Sequence, residues 1–355
     1  MSMTQAMAIT RGQWASQTSD GQWQGHAVRC AVQAEIPVGW ASFPGGEIEA
    51  LQLQLEDAVS PLHGRVSNEV IGDTGPIALL SWLHGKLADQ RVPNIRRVAI
   101  EMSPDQGADS NGQGDFFAWR RYRLRCAHFL PHVPLGHKCG RLHGHDFEVV
   151  VHAKAPAGVD PFARIDEAWA PLHFKLNYQK LNDIEGLRNP TSEVLSGWIW
   201  RELQNVLDGL AWVTVFETAS CGANFDGQTH RIWKELSFDS ATQLTRAPST
   251  HPASRVHGHT YNLRLHLKGP LDEVMGWTID FGDVKKQFAS QFAALDHQPL
   301  HELCPEGDGG AMFWVQKIAS EALATLTPLE RVTLLEGPSG GALWSIDEDF
   351  LPLPL

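Results

Sequence analysis

The sequence is poor in cysteine, in positive charge and in long apolar runs, and each shortage argues against a class of protein. Among 355 residues there are five cysteines and no CxxC pair, so we expect no disulfide framework and a reducing, cytoplasmic setting. The formal net charge of -12 argues against a surface that coats nucleic acid. No apolar stretch approaches the ~20 residues of a membrane span, and the first residues do not resemble a signal peptide. We therefore expect a soluble protein without nucleic-acid or membrane partners.

Histidine, by contrast, is abundant, and a histidine pair recurs along the chain. The stretch CGRLHGHDF (139–147) returns as ASRVHGHTY (253–261), which keeps both histidines and loses the cysteine. A more divergent copy, DGQWQGHAV (20–28), places Gln24 and His26 at the two histidine positions. A repeated motif at regular spacing indicates an internal repeat of a folding unit.

The pattern around each histidine stretch predicts the elements of one unit. A run with a period of two follows the pair, and in the last copy it places Tyr261, Leu263, Leu265 and Leu267 on one face. A helix is predicted over 283–295, and a second helix in the middle copy has Thr191 or Ser192 as its N-cap.

Each unit closes on a β-rich run that ends in a glutamate, namely Glu101, Glu217 or Glu336. We therefore predict three ββααββ repeats over residues 1–110, 111–225 and 226–355. The polar, glycine-rich stretch 103–115 is interpreted as the first linker between them, and the second is placed somewhere within 221–228.

The middle copy has the residues of a metal site. His143 and His145 stand two apart on a predicted strand, so both rings leave the same face, and His128 lies on the strand before it. Three imidazoles with an open fourth position are typical of catalytic zinc. Cys139 is either a fourth ligand or a free thiolate beside the metal. The alternative is a set of ordinary strand histidines. We expect His132 and His137 in a loop and do not include them among the ligands.

The stretch CAHFLPHVPLGHKCGRLHGHDFEV (126–149) closely resembles the 6-pyruvoyl-tetrahydropterin synthase superfamily, and most of all its 6-carboxytetrahydropterin synthase branch, which serves queuosine biosynthesis. The resemblance covers the middle and last copies and is faint in the first. It implies an α+β fold, the tunnelling fold, in which three repeats close a pseudo-trimeric, twelve-stranded antiparallel barrel with helices outside. Such barrels often stack in pairs, which would make this chain a homodimer of pseudo-trimers.

Carried over residue by residue, the resemblance implies Zn²⁺ on His128, His143 and His145, and a proton-moving thiol on Cys139. The family's Asp-His pair falls on Asn177 and Tyr178 in the middle copy but is intact as Asp296 and His297 in the last. The last copy in turn has Thr242 and Ala253 where a zinc histidine and the cysteine belong. The two copies are therefore complementary, and we predict one composite active site per chain between the second and third repeats.

The remaining site residues concern the substrate. The resemblance implies that Glu217 or Glu336 anchors a pterin ring, and that Glu101 has no catalytic task. Arg141, together with Lys138, is a candidate contact for phosphate. The implied reaction converts 7,8-dihydroneopterin triphosphate, a small-molecule pterin, into 6-carboxytetrahydropterin, acetaldehyde and triphosphate. Two alternatives stay open: 6-pyruvoyl-tetrahydropterin synthase activity, and a non-catalytic protein of the same fold that binds zinc or pterin.

Overall fold

A computed structural model of the chain describes residues 2–17, 21–73, 75–156 and 159–346. The strands of this part of the chain form a closed barrel in the order β1-β12-β11-β10-β9-β8-β7-β6-β5-β4-β3-β2. The strands are β1 Met3–Gln17, β2 Trp23–Ala34, β3 Ile95–Ser103, β4 Gln106–Asn111, β5 Phe116–His128, β6 His143–Lys154, β7 Leu210–Thr218, β8 Cys221–Phe225, β9 His230–Thr242, β10 His257–Lys268, β11 Leu329–Gly337 and β12 Gly340–Ser345.

The α-helices lie between pairs of strands, so the order β-β-helices-β-β occurs three times along the chain. They are α1 Glu47–Val59, α2 Ser67–Ile71, α3 Pro76–Asp89, α4 Pro161–Leu176, α5 Ser192–Leu203, α6 Phe281–Gln287, α7 Ala289–Leu295, α8 Leu300–Leu303 and α9 Ala311–Ala322. The predicted α+β class and the twelve-stranded antiparallel barrel are confirmed. None of the helices in the described residues is long and apolar enough to cross a membrane.

Two compact units make up the chain, and the unit formed by 117–235 and 266–286 holds its core between strands and helices. The alternating residues Phe147, Val149 and Val151 of β6 are fully buried against α4 and α5. Trp169 of α4 belongs to the same cluster and stacks on Tyr122, with ring centroids 4.5 Å apart. Each fully buried side chain of this size contributes roughly 2 kcal/mol. This core supports the histidine end of β6.

The other unit comprises the described parts of 1–116, 236–265 and 287–355. Its strand β10 buries Tyr261, Leu263 and Leu265, the face that the period-two pattern predicts. Helix α1 buries Leu51 and Leu55 completely. The regular alternation of these strands fixes which side chains face the helices.

Two features of the predicted organisation are wrong. The stretch 103–115 is predicted to be a linker but contains β4, whereas 221–228 comprises β8 followed by the start of the connection to β9, where the second linker is predicted. Polar residues in these strands have partners on the neighbouring strand: Asp109 forms a buried ion pair with Arg97, and Asn224 donates to Thr214 at 2.7 Å. The helix predicted over 283–295 is two helices, α6 and α7, which are separated by the buried Phe288.

Candidate metal centre and catalytic residues

Three imidazoles meet where β5 ends and β6 begins. His128 is the last residue of β5 and pairs in register with His143, the first residue of β6. The third ring, His145, leaves the same face of β6 as His143, as the strand period requires. One ring nitrogen from each of the three lies within 4.8 Å of the others. Among the described residues this is the one group of histidine, cysteine and carboxylate side chains with such spacing.

Backbone carbonyls hold two of these rings by their Nδ1 atoms. His128 Nδ1 lies 2.9 Å from the carbonyl of Pro190, and His143 Nδ1 lies 2.7 Å from that of Arg141. This contact places the proton on Nδ1 and leaves Nε2 with a free lone pair, which is the usual arrangement of metal-ligating histidines. The Nε2 atoms of His128 and His145 are buried and have no hydrogen-bond partner in the described part of the chain. The donor set therefore fits a metal ion.

The surroundings of the rings favour neutral imidazole. Burial lowers the pKa of both His128 and His145. Beneath them lies Phe147, whose ring centroid is 5.3 Å from that of His128 and 5.2 Å from that of His145. A histidine must be unprotonated to coordinate a metal. This apolar environment therefore favours the form of the two imidazoles that can bind a metal at neutral pH.

Cys139 lies outside the group of three nitrogens. It occupies a single 3-10 turn, Lys138–Gly140, directly before β6. Burial raises the pKa of the thiol, and the nearby carboxylates of Glu217 and Asp280 raise it further, while Lys138 acts in the opposite direction. The other four cysteines are buried, so Cys139 is the most accessible of the five.

The three glutamates that end β-rich runs have three different partners. Glu217 accepts from the hydroxyl of Ser192 at 2.7 Å, and its other oxygen lies 3.6 Å from His145 Nε2. Glu336 accepts from the backbone N–H of Ala311 at 3.0 Å, and burial raises its pKa to about 7.

Glu101 differs from the other two glutamates because its carboxylate is paired with a guanidinium. Its carboxylate forms an ion pair with Arg29 at 3.2 Å. Ser192 and Ala311 precede their glutamates, Glu217 and Glu336, by the same number of residues. The residue at that distance before Glu101 is Pro76, which has no N–H to donate. Glu101 is therefore already neutralised by its own chain.

The predicted dyad forms a close pair. Asp296 Oδ1 lies 2.9 Å from His297 Nδ1, and the imidazole is 77% exposed. His297 has a positive φ of 58°, and its backbone N–H donates to the backbone carbonyl of Asp239. Tyr178 has the same left-handed backbone, φ 61°, with its N–H donating to Arg125. The same backbone position thus carries histidine in one copy and tyrosine in the other.

The two candidate phosphate contacts lie on the surface, in or directly after the 3-10 turn that carries Cys139. Arg141 and Lys138 are both exposed. Arg141 also has a structural task, because its carbonyl is the acceptor for His143 Nδ1. Both cationic groups are therefore accessible to a phosphate chain from solvent.

The second histidine pair is built alike but lacks the third ring. His257 Nδ1 contacts the carbonyl of Arg255 at 2.8 Å, and His259 Nδ1 contacts that of Glu336 at 2.8 Å. Thr242, at the place of His128, instead donates to the carbonyl of Gly309 at 3.0 Å. A cavity of about 550 Å³ beside this pair is lined by Glu49, His251, Pro252, Ala253, Arg255, Val256 and His257.

The sequence did not predict that a further segment lies near Cys139. The loop before α6 lies against the start of α5: Thr191 donates to the carbonyl of Gly276 at 2.6 Å, and Glu193 accepts from Thr278 N at 3.0 Å. Its end brings Asp280 to 3.8 Å from His137 Nε2. The sequence pattern gave no signal for this contact, because Asp280 is remote from His137 along the chain.

Fold and site together define a barrel protein with a cluster of three histidines that fits a metal ion. The family model described as 6-pyruvoyl tetrahydropterin synthase matches residues 118–228 and 231–344. The chain therefore belongs to the 6-pyruvoyl tetrahydropterin synthase family.

Individual relatives are pterin synthases. The 6-carboxy-5,6,7,8-tetrahydropterin synthase of Synechocystis sp. is 31% identical over 118 residues, which are 30% of this chain and 90% of that protein. Among solved structures, the Caenorhabditis elegans 6-pyruvoyl tetrahydropterin synthase is 18% identical with a TM-score of 0.29, over 32% of this chain and 92% of that one. The Plasmodium falciparum enzyme is 16% identical with a TM-score of 0.28, over 33% and 98%.

Proposed function

We propose that the chain is a zinc-dependent 6-carboxy-5,6,7,8-tetrahydropterin synthase that acts on 7,8-dihydroneopterin triphosphate, in queuosine biosynthesis. The observation that carries the proposal is the cluster of His128, His143 and His145, with Glu217 3.6 Å from His145. The similarity to the Synechocystis protein of that name supports this activity.

Zinc suits the donor set, because three neutral imidazole nitrogens and one open position are its usual catalytic arrangement. When bound, the metal supplies a Lewis acid that lowers the pKa of substrate hydroxyl groups. The protein's part is to keep the three rings neutral and oriented, through burial and through the carbonyls of Pro190 and Arg141.

The reacting groups are assigned from their chemistry and place. Cys139 removes a proton from the substrate's side-chain carbon once its thiol is deprotonated, which a neighbouring cation such as Lys138 favours. His297, oriented by Asp296 at 2.9 Å, moves a proton to or from a hydroxyl. Glu217 is the proposed pterin anchor rather than Glu336, because it is the glutamate beside the histidine cluster, and a carboxylate can accept two parallel N–H donors. Lys138 and Arg141 neutralise the triphosphate.

We propose that the three reacting groups, contributed by the second and third predicted repeats, assemble into one site per chain. Asn177 and Tyr178 cannot provide the acid–base dyad, and Ala253 cannot provide the thiol, so neither repeat suffices alone. A homodimer of pseudo-trimers and a cytoplasmic location are part of the same proposal. The five free cysteines support the reducing location.

The test of the activity is to incubate zinc-loaded protein with 7,8-dihydroneopterin triphosphate and to measure acetaldehyde and triphosphate. We expect both products, and we expect Cys139→Ala and His297→Ala each to lower kcat by about 100-fold or more. Turnover without acetaldehyde would instead favour a pyruvoyl-type product. Turnover that neither variant changes would contradict the catalytic assignment, and no turnover in zinc-loaded protein would contradict the proposed function.

The metal site has its own test and a matched control. Purified protein should retain about one zinc ion per chain, and His143→Ala should lose it because a ligand is missing. His257→Ala removes the corresponding ring of the second pair and should leave the zinc content unchanged, since that pair lacks a third ligand. Elemental analysis of the dialysed proteins gives the result. Equal loss in both variants would show that the cluster has been placed wrongly.

A further inference from the structure

The turn that carries Cys139 is held by a histidine that is not a metal ligand. His137 Nδ1 accepts a hydrogen bond from the backbone N–H of Cys139 at 3.2 Å, and the carbonyl of Cys139 accepts from Leu130 N at 2.8 Å. The backbone of Cys139 is thus held by hydrogen bonds at both its N–H and its carbonyl group. Only a ring with an unprotonated Nδ1 can accept this bond, so neutral His137 must have its proton on Nε2.

An acid from a distant part of the chain faces that Nε2 proton. Asp280 Oδ2 lies 3.8 Å from His137 Nε2, which is beyond a direct hydrogen bond but close enough for one bridging water. The other oxygen of Asp280 accepts from Gly282 N at 2.7 Å, so the carboxylate is held in place. The ring centroid of Trp277 lies 6.4 Å from that of His137. A carboxylate there favours the tautomer in which Nδ1 is the acceptor.

The same arrangement occurs a second time, at a turn without a thiol. His251 Nδ1 accepts from the backbone N–H of Ala253 at 3.3 Å, and its Nε2 lies 3.1 Å from Glu49. The ring of Phe43 lies 4.9 Å from that of His251. The chain therefore contains an internal control, in which the imidazole, its acid and its aromatic neighbour are present and the thiol is replaced by a methyl group.

We infer that His137 and Asp280 are positioning residues for Cys139: Asp280 fixes the tautomer of His137, and His137 fixes the turn from which the thiol reaches the substrate. The inference rests on the proposed function for its turnover measurements. It adds a residue from the loop before α6, which no sequence motif of the metal site includes. Misplacing a reacting atom by about 1 Å can cost 100-fold in rate, so a loosened turn should be visible in kcat.

The experiment compares variants of the two turns in the full, zinc-loaded chain. His137→Ala and Asp280→Asn should lower kcat by about ten- to 100-fold, with KM within about twofold and zinc content unchanged. Asn at position 280 keeps an acceptor for Gly282 N, so the helix start is preserved. The matched variants His251→Ala and Glu49→Gln should leave kcat within about twofold. An equal loss at both turns, or no loss at the first, would overturn the inference.

A conservative variant separates positioning from general damage. An asparagine can accept from the N–H two residues ahead without any carboxylate to set a tautomer. His137→Asn should therefore recover most of the lost kcat, and Asp280→Asn should cause no further loss in that background. If Asp280→Asn is as harmful there as in the original protein, the acid does not act through His137 and the inference fails.

Amide hydrogen exchange tests the same geometry without turnover. The Cys139 N–H should exchange about tenfold faster in His137→Ala and in Asp280→Asn, and at close to the original rate in His137→Asn, because an open amide loses its protection. Should the protein lack pterin synthase activity, this exchange pattern would still support the contact chain. Unchanged exchange in His137→Ala would overturn it, whatever the activity.

Discussion

At the scale of single residues, the environment of each titratable group decides what it can do. Burial lowers the pKa of His128 and His145 and so favours their neutral form, whereas the imidazole of His297 is exposed. One buried acid near the site has no catalytic task in our scheme. Glu193 is 2% exposed, and burial raises its pKa to about 7, although Thr278 N donates to it.

Glu193 should make the fold less stable as the pH rises. Its pKa in the folded protein lies above the ordinary value of 4.5, so the folded state binds the proton more tightly than the unfolded state. The resulting stabilisation is complete below about pH 4.5 and is lost as the pH rises through about 7. Glu193→Gln should therefore increase the unfolding free energy relative to the original protein at pH 8, by at most roughly 3 kcal/mol, and change it little at pH 4.5.

Urea unfolding of metal-free protein at the two pH values gives this difference. Glu185→Gln is the control, because Glu185 is an exposed carboxyl a short way along the chain. A gain of the same size at both pH values would contradict the assigned cause.

The sequence alone predicted the cluster of three histidines that the structure brings together, but not the residues that support the turn of Cys139. His128, His143 and His145 follow from a strand period of two and a hairpin, which are local patterns. Glu217 and Glu336 follow from the repeat. His137 lies in a loop as predicted, but its contacts with Asp280 and Trp277 could not be predicted, because residues so distant in sequence leave no periodic signal.

At the scale of elements, alternation predicted the strands with apolar faces and failed for those with polar ones. Strand β10 was predicted from its alternation, and the face with Tyr261, Leu263 and Leu265 is buried. Strand β4 lies in a stretch that is interpreted as a linker because it contains glycine, aspartate and asparagine. Such residues are compatible with a strand only when a neighbouring strand supplies the partner, as Arg97 does for Asp109.

The start of α5 offers a prediction at this scale. Thr191 caps the helix by accepting from Val194 N at 3.1 Å and also donates to the carbonyl of Gly276 at 2.6 Å. Thr191→Ala should lower the unfolding free energy by about 1–2 kcal/mol through both losses. Proteolysis within 272–280 should also become faster. Thr191→Ser keeps the hydroxyl and should stay within about 0.5 kcal/mol of the original protein in urea unfolding. Equal losses in the two variants would show that the methyl group, not the hydroxyl, is responsible.

At the scale of the whole molecule, the proposed composite site predicts how two inactive variants behave together. Cys139→Ala lacks the thiol and His297→Ala lacks the dyad. If both groups must come from one chain, chains of the two kinds that are unfolded together and refolded as a mixture contain no complete site. We expect turnover no higher than that of either variant alone.

Refolding each variant with the original protein is the control, and it should give turnover in proportion to the original chains. Recovery of activity in the mixture of the two variants would show that a second chain supplies the dyad. That result would move the site from within one chain to an interface between chains.

The ion pair of Arg29 with Glu101 links two positions that are distant in the sequence. Replacing Arg29 alone would leave a carboxylate whose side chain is 13% exposed without its cation, since Pro76 offers it no N–H in exchange. Replacing Pro76 alone would add a donor to a group that is already neutralised. A carboxylate at position 101 that is free to bind an external N–H donor would therefore need both replacements at once.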